Sequence, residues 1–235
     1  MASPQDQNPV LDDDVPMDAL IALLHQKYPF NSQYTTASEK AATKTAILEE
    51  CVKFNMRPYY EMICDAFGWP IDQKLVESMN ATNEKKVTDL DAAIKDAQEN
   101  LGDTEVREAL LAKCDFFARI GDIDACIEFN EECGKKTIAV GPRLDLCFQR
   151  IRLGISFSSN EVAAKGIQDA HRLIKDGDWE RRNRLQVYEG LYHVFIRDFK
   201  KGSQLLLDSL STFAATELLN FKQFIFITVI SALVT

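Results

Sequence analysis

Six cysteines and three histidines are the most reactive side chains in this 235-residue sequence. Thiolates and imidazoles bind zinc, or carry nucleophilic catalysis, when spacing brings a full ligand set or a nucleophile and its base together. Cys51, Cys64, Cys114, Cys126, Cys133 and Cys147 form no CxxC pair, and His25, His171 and His193 share no ligand spacing with them. The cysteines read as reduced, half-buried small hydrophobes, which points to cytosol or nucleus. His193 shares a helical pattern with Tyr188, Tyr192 and Phe195 and reads as a satisfied, partly buried histidine in a core-facing series. Glu131-Glu132 and Asp12–Asp14 are solvated acidic runs unless a cleft shifts their titration. No GxSxG, HExxH or phosphate-binding glycine loop occurs. The expectation is a protein without catalytic residues, metal or cofactor.

A second group of residues suggests recognition. Trp179, Arg181, Arg182 and Arg184 fall in the opening turns of a predicted helix, where the helix dipole disfavours cations. An acidic group is therefore expected beside them. One reading is an internal ion pair with carboxylates of the preceding repeat; the other is contact with an acidic neighbouring subunit. Trp179 reads as an apolar plug between repeats or as a contact hot spot. Three arginines without an aromatic stacking platform make a thin case for RNA.

The elements that must position these residues form a repeat from 104 to 215. Turns at Ile120-Gly121-Asp122, Ser158-Ser159-Asn160 and Ile196-Arg197-Asp198 put the expected caps Asp122, Asn160 and Asp198 at intervals of 38 residues. Four residues after each stands a small side chain (Cys126, Ala164, Gly202), and three further on an apolar one (Phe129, Ile167, Leu205). Such a period predicts stacked helical hairpins of the tetratricopeptide kind. The expected pairs are 104–119 with 122–136, 143–157 with 160–175, and 180–196 with 198–213. The fold class is therefore all-α, a right-handed solenoid of hairpins whose product is a binding shape.

Around this array, residues 1–16 carry three prolines and four aspartates and read as a disordered acidic tail. They also place acids where the apolar core of a secretory signal would lie. Residues 17–103 read as an N-terminal helical region. Its helices are expected from Met17 toward Tyr28, stopping before Pro29, then over 38–54, 59–67 and 83–100. In the last, Val87, Leu90, Ile94, Ala97 and Leu101 make a narrow seam. That seam is expected to dock on the first repeat, or to meet a partner. A final helix is expected to open at Thr216-Glu217. Its 13 uncharged residues after Lys222 fall short of the roughly 20 that a membrane span needs. So apolar a helix is expected to lie against a continuation of the chain. The net charge of −9 and pI near 4.9 disfavour nucleic acid and anionic membranes as general partners.

Asp176-Gly177-Asp178-Trp179-Glu180-Arg181-Arg182-Asn183-Arg184-Leu185, continuing through Tyr192, closely resembles a signature segment of non-ATPase regulatory subunits of the 26S proteasome lid, which are PCI-domain proteins. Asn55-Met56-Arg57-Pro58-Tyr59-Tyr60, Ala118-Arg119-Ile120-Gly121-Asp122, Gly141-Pro142-Arg143-Leu144-Asp145, Arg197-Asp198-Phe199-Lys200-Lys201 and Ser211-Thr212-Phe213 agree in the same order. The resemblance implies a scaffold in the regulatory particle of the proteasome, beside other lid PCI subunits, with its helical arm toward the ATPase ring. It also implies a place in the cytoplasm and nucleus. Residues 216–235 would begin a PCI domain whose winged-helix half is absent. The alternative is a related PCI complex, the signalosome or a translation initiation factor.

Overall fold

In the computed structural model, residues 17–174 and 178–235 are described, and every regular element among them is helical. The acidic tail expected over 1–16, and the end of the helix expected to reach Lys175, lie outside the described residues. The chain divides into two compact units, Ala19–Asp176 and a second made of Gly177–Thr235 with the residues up to Asp18.

The larger unit contains α1 (Ala19–Asn31), α2 (Ala37–Lys53), α3 (Arg57–Phe67), α4 (Gln73–Asn100), α5 (Asp103–Ile120), α6 (Ile123–Lys136), α7 (Val140–Ser156) and α8 (Asn160–Leu173). Its main core gathers Ile47, Cys51, Met56, Tyr59, Ile63 and Met79 with Cys114, Cys126 and Leu153. The helix expected to stop before position 29 continues to Asn31. A single missing amide donor is outweighed by burial of Leu20, Ile21, Leu23 and Leu24 along the same helix. Helix α4 starts ten residues earlier than its seam predicted, because Asp72 caps it by accepting from the backbone N–H groups of Lys74 and Leu75. The seam docks within the unit: Ile94 and Ala97 pack with Val106 and Leu110 of α5.

Among the described residues, four turns that join one helix directly to the next share one backbone plan. Asn55, Gly121, Ser158 and Arg197 each take a left-handed conformation, with φ of 52°, 80°, 57° and 66°. The next residue donates its N–H to the carbonyl five residues back: Met56 to Cys51, Asp122 to Phe117, Ser159 to Gly154 and Asp198 to His193, at 2.8–3.0 Å. That bond closes one helix, and the same residue stands as N-cap of the next. The turn is a device for reversing the chain with no orphaned residues between helices.

In the second expected repeat this plan lies one residue earlier than predicted. Ser159, not Asn160, is the N-cap, and its side chain makes no capping bond. From the observed caps, the fourth residue is small and buried in every case: Cys126, Ala163 and Gly202. Ala164, the expected one, is only half-buried. The eighth residue is also buried each time, as Asn130, Ile167 and Leu206, while Phe129 and Leu205 are half-buried. Positions four and eight share a helix face, so the inner stripe is displaced slightly from the predicted one.

Gly121 is glycine for two reasons. Its φ is positive, and a Cβ there would come 2.8 Å from the Cβ of Tyr59 on α3. Gly154 sets the approach of α7 to α8. A Cβ there would fall 2.4 Å from the backbone nitrogen of Ala163, a distance no packed carbon tolerates.

The smaller unit contains α9 (Trp179–Phe195), α10 (Phe199–Asp208), a short 3-10 turn (Leu210–Thr212) and α11 (Phe221–Leu233). Helix α11 opens at Asn220 and not at Thr216. Asn220 accepts from the Gln223 N–H, and the Gln223 side chain accepts from the Asn220 N–H, a reciprocal cap. Phe224, Thr228 and Ser231 are buried, and Phe213 stacks on Phe224 at 4.5 Å between ring centroids. The opposite side leaves Phe226, Val229, Ile230 and Leu233 exposed. No helix of the described residues is long and apolar enough to cross a membrane.

Candidate protein-interaction site

The start of α9 is built around two carboxylates. Asp178 is the N-cap and accepts from the Arg181 N–H at 3.1 Å, while the Arg181 guanidinium reaches its other oxygen at 2.7 Å. These two hydrogen bonds hold the Asp178 carboxyl below its ordinary range. One acid thus offsets both the unpaired amides of the first turn and the misplaced cation.

Arg184 finds its acid elsewhere. Its Nε lies 2.7 Å from Oε1 of Glu217, and the Tyr188 hydroxyl donates to that same oxygen. Glu217 sits in the turn between the 3-10 segment and α11, flanked by buried Ala215, Leu218 and Leu219. Its backbone carbonyl also accepts from the Asp18 N–H at 2.9 Å. A guanidinium and a phenol on one carboxylate make a charge-assisted junction that fastens residues 215–219 onto α9.

Internal ion pairs are present for Arg181 and Arg184, and their carboxylates include ones outside the preceding repeat. They come from the cap of the same helix and from a segment later in the chain. Glu217 was missed because Thr216-Glu217 has the composition of a helix start, and nothing local shows that its carboxylate is engaged some thirty residues away. Trp179 is 67% exposed at the first helical position, so it lies outside the buried core. Arg182 is also exposed. Of the four candidate contacts, Arg181 and Arg184 pair with local carboxylates, while Trp179 and Arg182 are the exposed ones.

The aromatic series behaves unevenly: Tyr188 is fully buried, whereas Tyr192 and Phe195 are half-buried. His193 is not satisfied as expected. Its Nδ1 lies 3.2 Å from the Asp198 carboxylate, yet it is not aligned to hydrogen-bond and stands among the buried atoms without a hydrogen-bond partner. All six cysteines are buried free thiols. Burial pushes Cys51 up to about 12 and Cys147 up to about 11, which suppresses the reactive thiolate. Cys114 is raised chiefly by its hydrogen bond with Cys126, whose sulfur lies 3.7 Å away.

A sequence model of the family described as 26S proteasome subunit RPN7 matches residues 72–235. A protein of Arabidopsis thaliana named 26S proteasome non-ATPase regulatory subunit 6 homolog is 42% identical over 198 residues, covering 84% of this chain and 51% of that protein. Its counterpart in Caenorhabditis elegans is 35% identical, over 90% of this chain and 52% of its own. In Saccharomyces cerevisiae, 26S proteasome regulatory subunit RPN7 is 28% identical, over 75% and 46%. The chain spans about half the length of the curated relatives it matches.

Proposed function

We propose a function from one premise: the chain belongs to the RPN7 family of 26S proteasome subunits. It acts as a structural scaffold of the regulatory-particle lid, supporting ubiquitin-dependent protein degradation through protein contacts and without an active site of its own. The observation that carries this reading is the family match over residues 72–235, a span that includes three helical hairpins closed by the same left-handed turn. Helical hairpins of this kind offer long side-chain faces to other proteins. The relatives' names favour this over the signalosome and initiation-factor alternatives.

The hairpins of 104–215 form the arm, 17–103 is a helical region before it, and 216–235 leads toward a PCI domain. Its partners are the other PCI subunits of the lid and the ATPase ring, in the cytoplasm and nucleus. Trp179 and Arg182 contribute to the partner surface, since both are exposed and an exposed indole is a frequent contact anchor.

The test is affinity purification of the tagged chain from cells, beside a tagged full-length relative. Recovery of lid and ATPase subunits with both supports the scaffold reading. Recovery with the relative alone overturns it for this chain. Replacing Trp179 by Ala is expected to lower recovery while leaving the unfolding free energy within about 0.5 kcal/mol of the parent.

A further inference from the structure

One groove carries a charge opposite to that of the chain as a whole. It lies between α6, α7 and α8, has a volume of about 390 Å³, and is floored by Leu146, Cys147 and Leu173. Among the described residues, five cations line it against two carboxylates, in a chain whose net charge is −9.

The two acids are already shared. Glu131 lies 2.9 Å from Lys165 and 3.5 Å from Arg150. Asp169 lies 3.0 Å from Arg172 and 3.4 Å from the same Arg150. Arg150 is the deepest of the cations, with its side chain 8% exposed. Asn130 accepts from its terminal nitrogen at 3.1 Å, while its Nε has no hydrogen-bond partner. Lys135 and Arg143, also in the lining, are exposed and enter no ion pair among the described residues. Their charges join three cations that two carboxylates only partly neutralise, beside a wall that lowers the local dielectric. Arg143 and Arg150, and likewise Lys165 and Arg172, stand seven residues apart, so two helices each present a pair on one face.

We propose that this groove binds a small polyanion bearing two or more phosphoryl groups. The volume is that of a small-molecule site. Guanidinium forks on Arg143, Arg150 and Arg172 match phosphoryl oxygens, and the spread of cations across three helices fits more than one phosphoryl group.

The test is calorimetric titration of the whole chain with inorganic tripolyphosphate, with sodium sulfate and sodium chloride as controls at equal ionic strength. Saturable one-to-one binding that the controls do not reproduce is expected. The double variant Lys135→Glu, Arg143→Glu changes two exposed side chains and should retain the parent's circular dichroism and melting curve. It is expected to weaken tripolyphosphate binding about tenfold or more, whereas Glu131→Gln, which removes a competing acid, should strengthen it. Equal affinity in parent and double variant, or binding matched by sulfate, overturns the proposal. So does an oligoglutamate peptide that saturates the groove at lower concentration than tripolyphosphate, because the site would then be one for acidic protein segments.

Discussion

The hairpins α5–α6 and α7–α8 reverse direction through the same turn but hold their helices together differently. In the first, Cys114 of α5 and Cys126 of α6 face each other, with their sulfurs 3.7 Å apart, while buried Asn130 of α6 reaches out to the next hairpin, its amide donating to the Leu146 carbonyl and to Gln149 of α7, each at 3.0 Å. In the second, Gly154 meets Ala163, and Gly166 lies against Ile151. The corresponding buried position eight residues after the cap is Asn130 in one and Ile167 in the other. The turn sets the topology, and either facing thiols or bare close contact can fill the space it encloses.

This contrast predicts different failures. The largest effect belongs to the glycine contact. Gly154→Val forces a side chain into the backbone of Ala163 and is expected to destabilise the larger unit by about 3 kcal/mol or more, measured by urea unfolding. A loss under about 1 kcal/mol would mean that α7 and α8 can part without penalty.

Between the two hairpins, Asn130→Ala removes two bonds donated to α7 and the acceptor of Arg150. The expected loss is about 2–3 kcal/mol, because buried groups are left unpaired. A similar loss in a variant that also carries Gln149→Leu is expected of a coupled network; a loss equal to the sum of the two single losses would show that it is not cooperative.

The smaller unit sharpens the comparison with a charged junction. Glu217→Gln should cost about 1–2 kcal/mol through weaker bonds to Arg184 and Tyr188. Tyr188→Phe combined with it in a double-mutant cycle should show coupling; strict additivity would count against a shared acceptor.

The smallest effect is pH-dependent. Burial raises Asp115 above its ordinary value of 3.8, although Gln149 donates to it at 2.7 Å. The folded state therefore holds this proton more tightly than the unfolded chain, and stability is lost as pH rises through the two values. Asp115→Asn should be slightly more stable than the parent at neutral pH, and that advantage should vanish below 3.8. An unchanged difference across the range would place the cause elsewhere.

Much of this was legible in residue order. The 3.6-residue pattern located the hairpins, and the need for acid beside Arg181 and Arg184 followed from their place at a helix start. The slip at the second turn has a chemical cause: Ser158, Ser159 and Asn160 are three cap-competent residues in a row, and composition does not choose among them. The early start of α4 was hidden because its first turns are polar apart from Leu75, Val76 and Met79. The groove around Arg150 gathers cations from three helices, and only tertiary packing brings them together.

The left-handed corners have a consequence for substitution. At Ser158 and Arg197, a residue with a Cβ sits where it loses about 1 kcal/mol to sterics, yet glycine there would add roughly as much freedom to the unfolded chain. The two nearly cancel, so these corners have latitude to vary, and Gly121 lacks it because Tyr59 occupies the space a side chain would need. Swapping glycine in at 197 should leave the melting curve almost where it was, while any side chain placed at 121 should move the third helix.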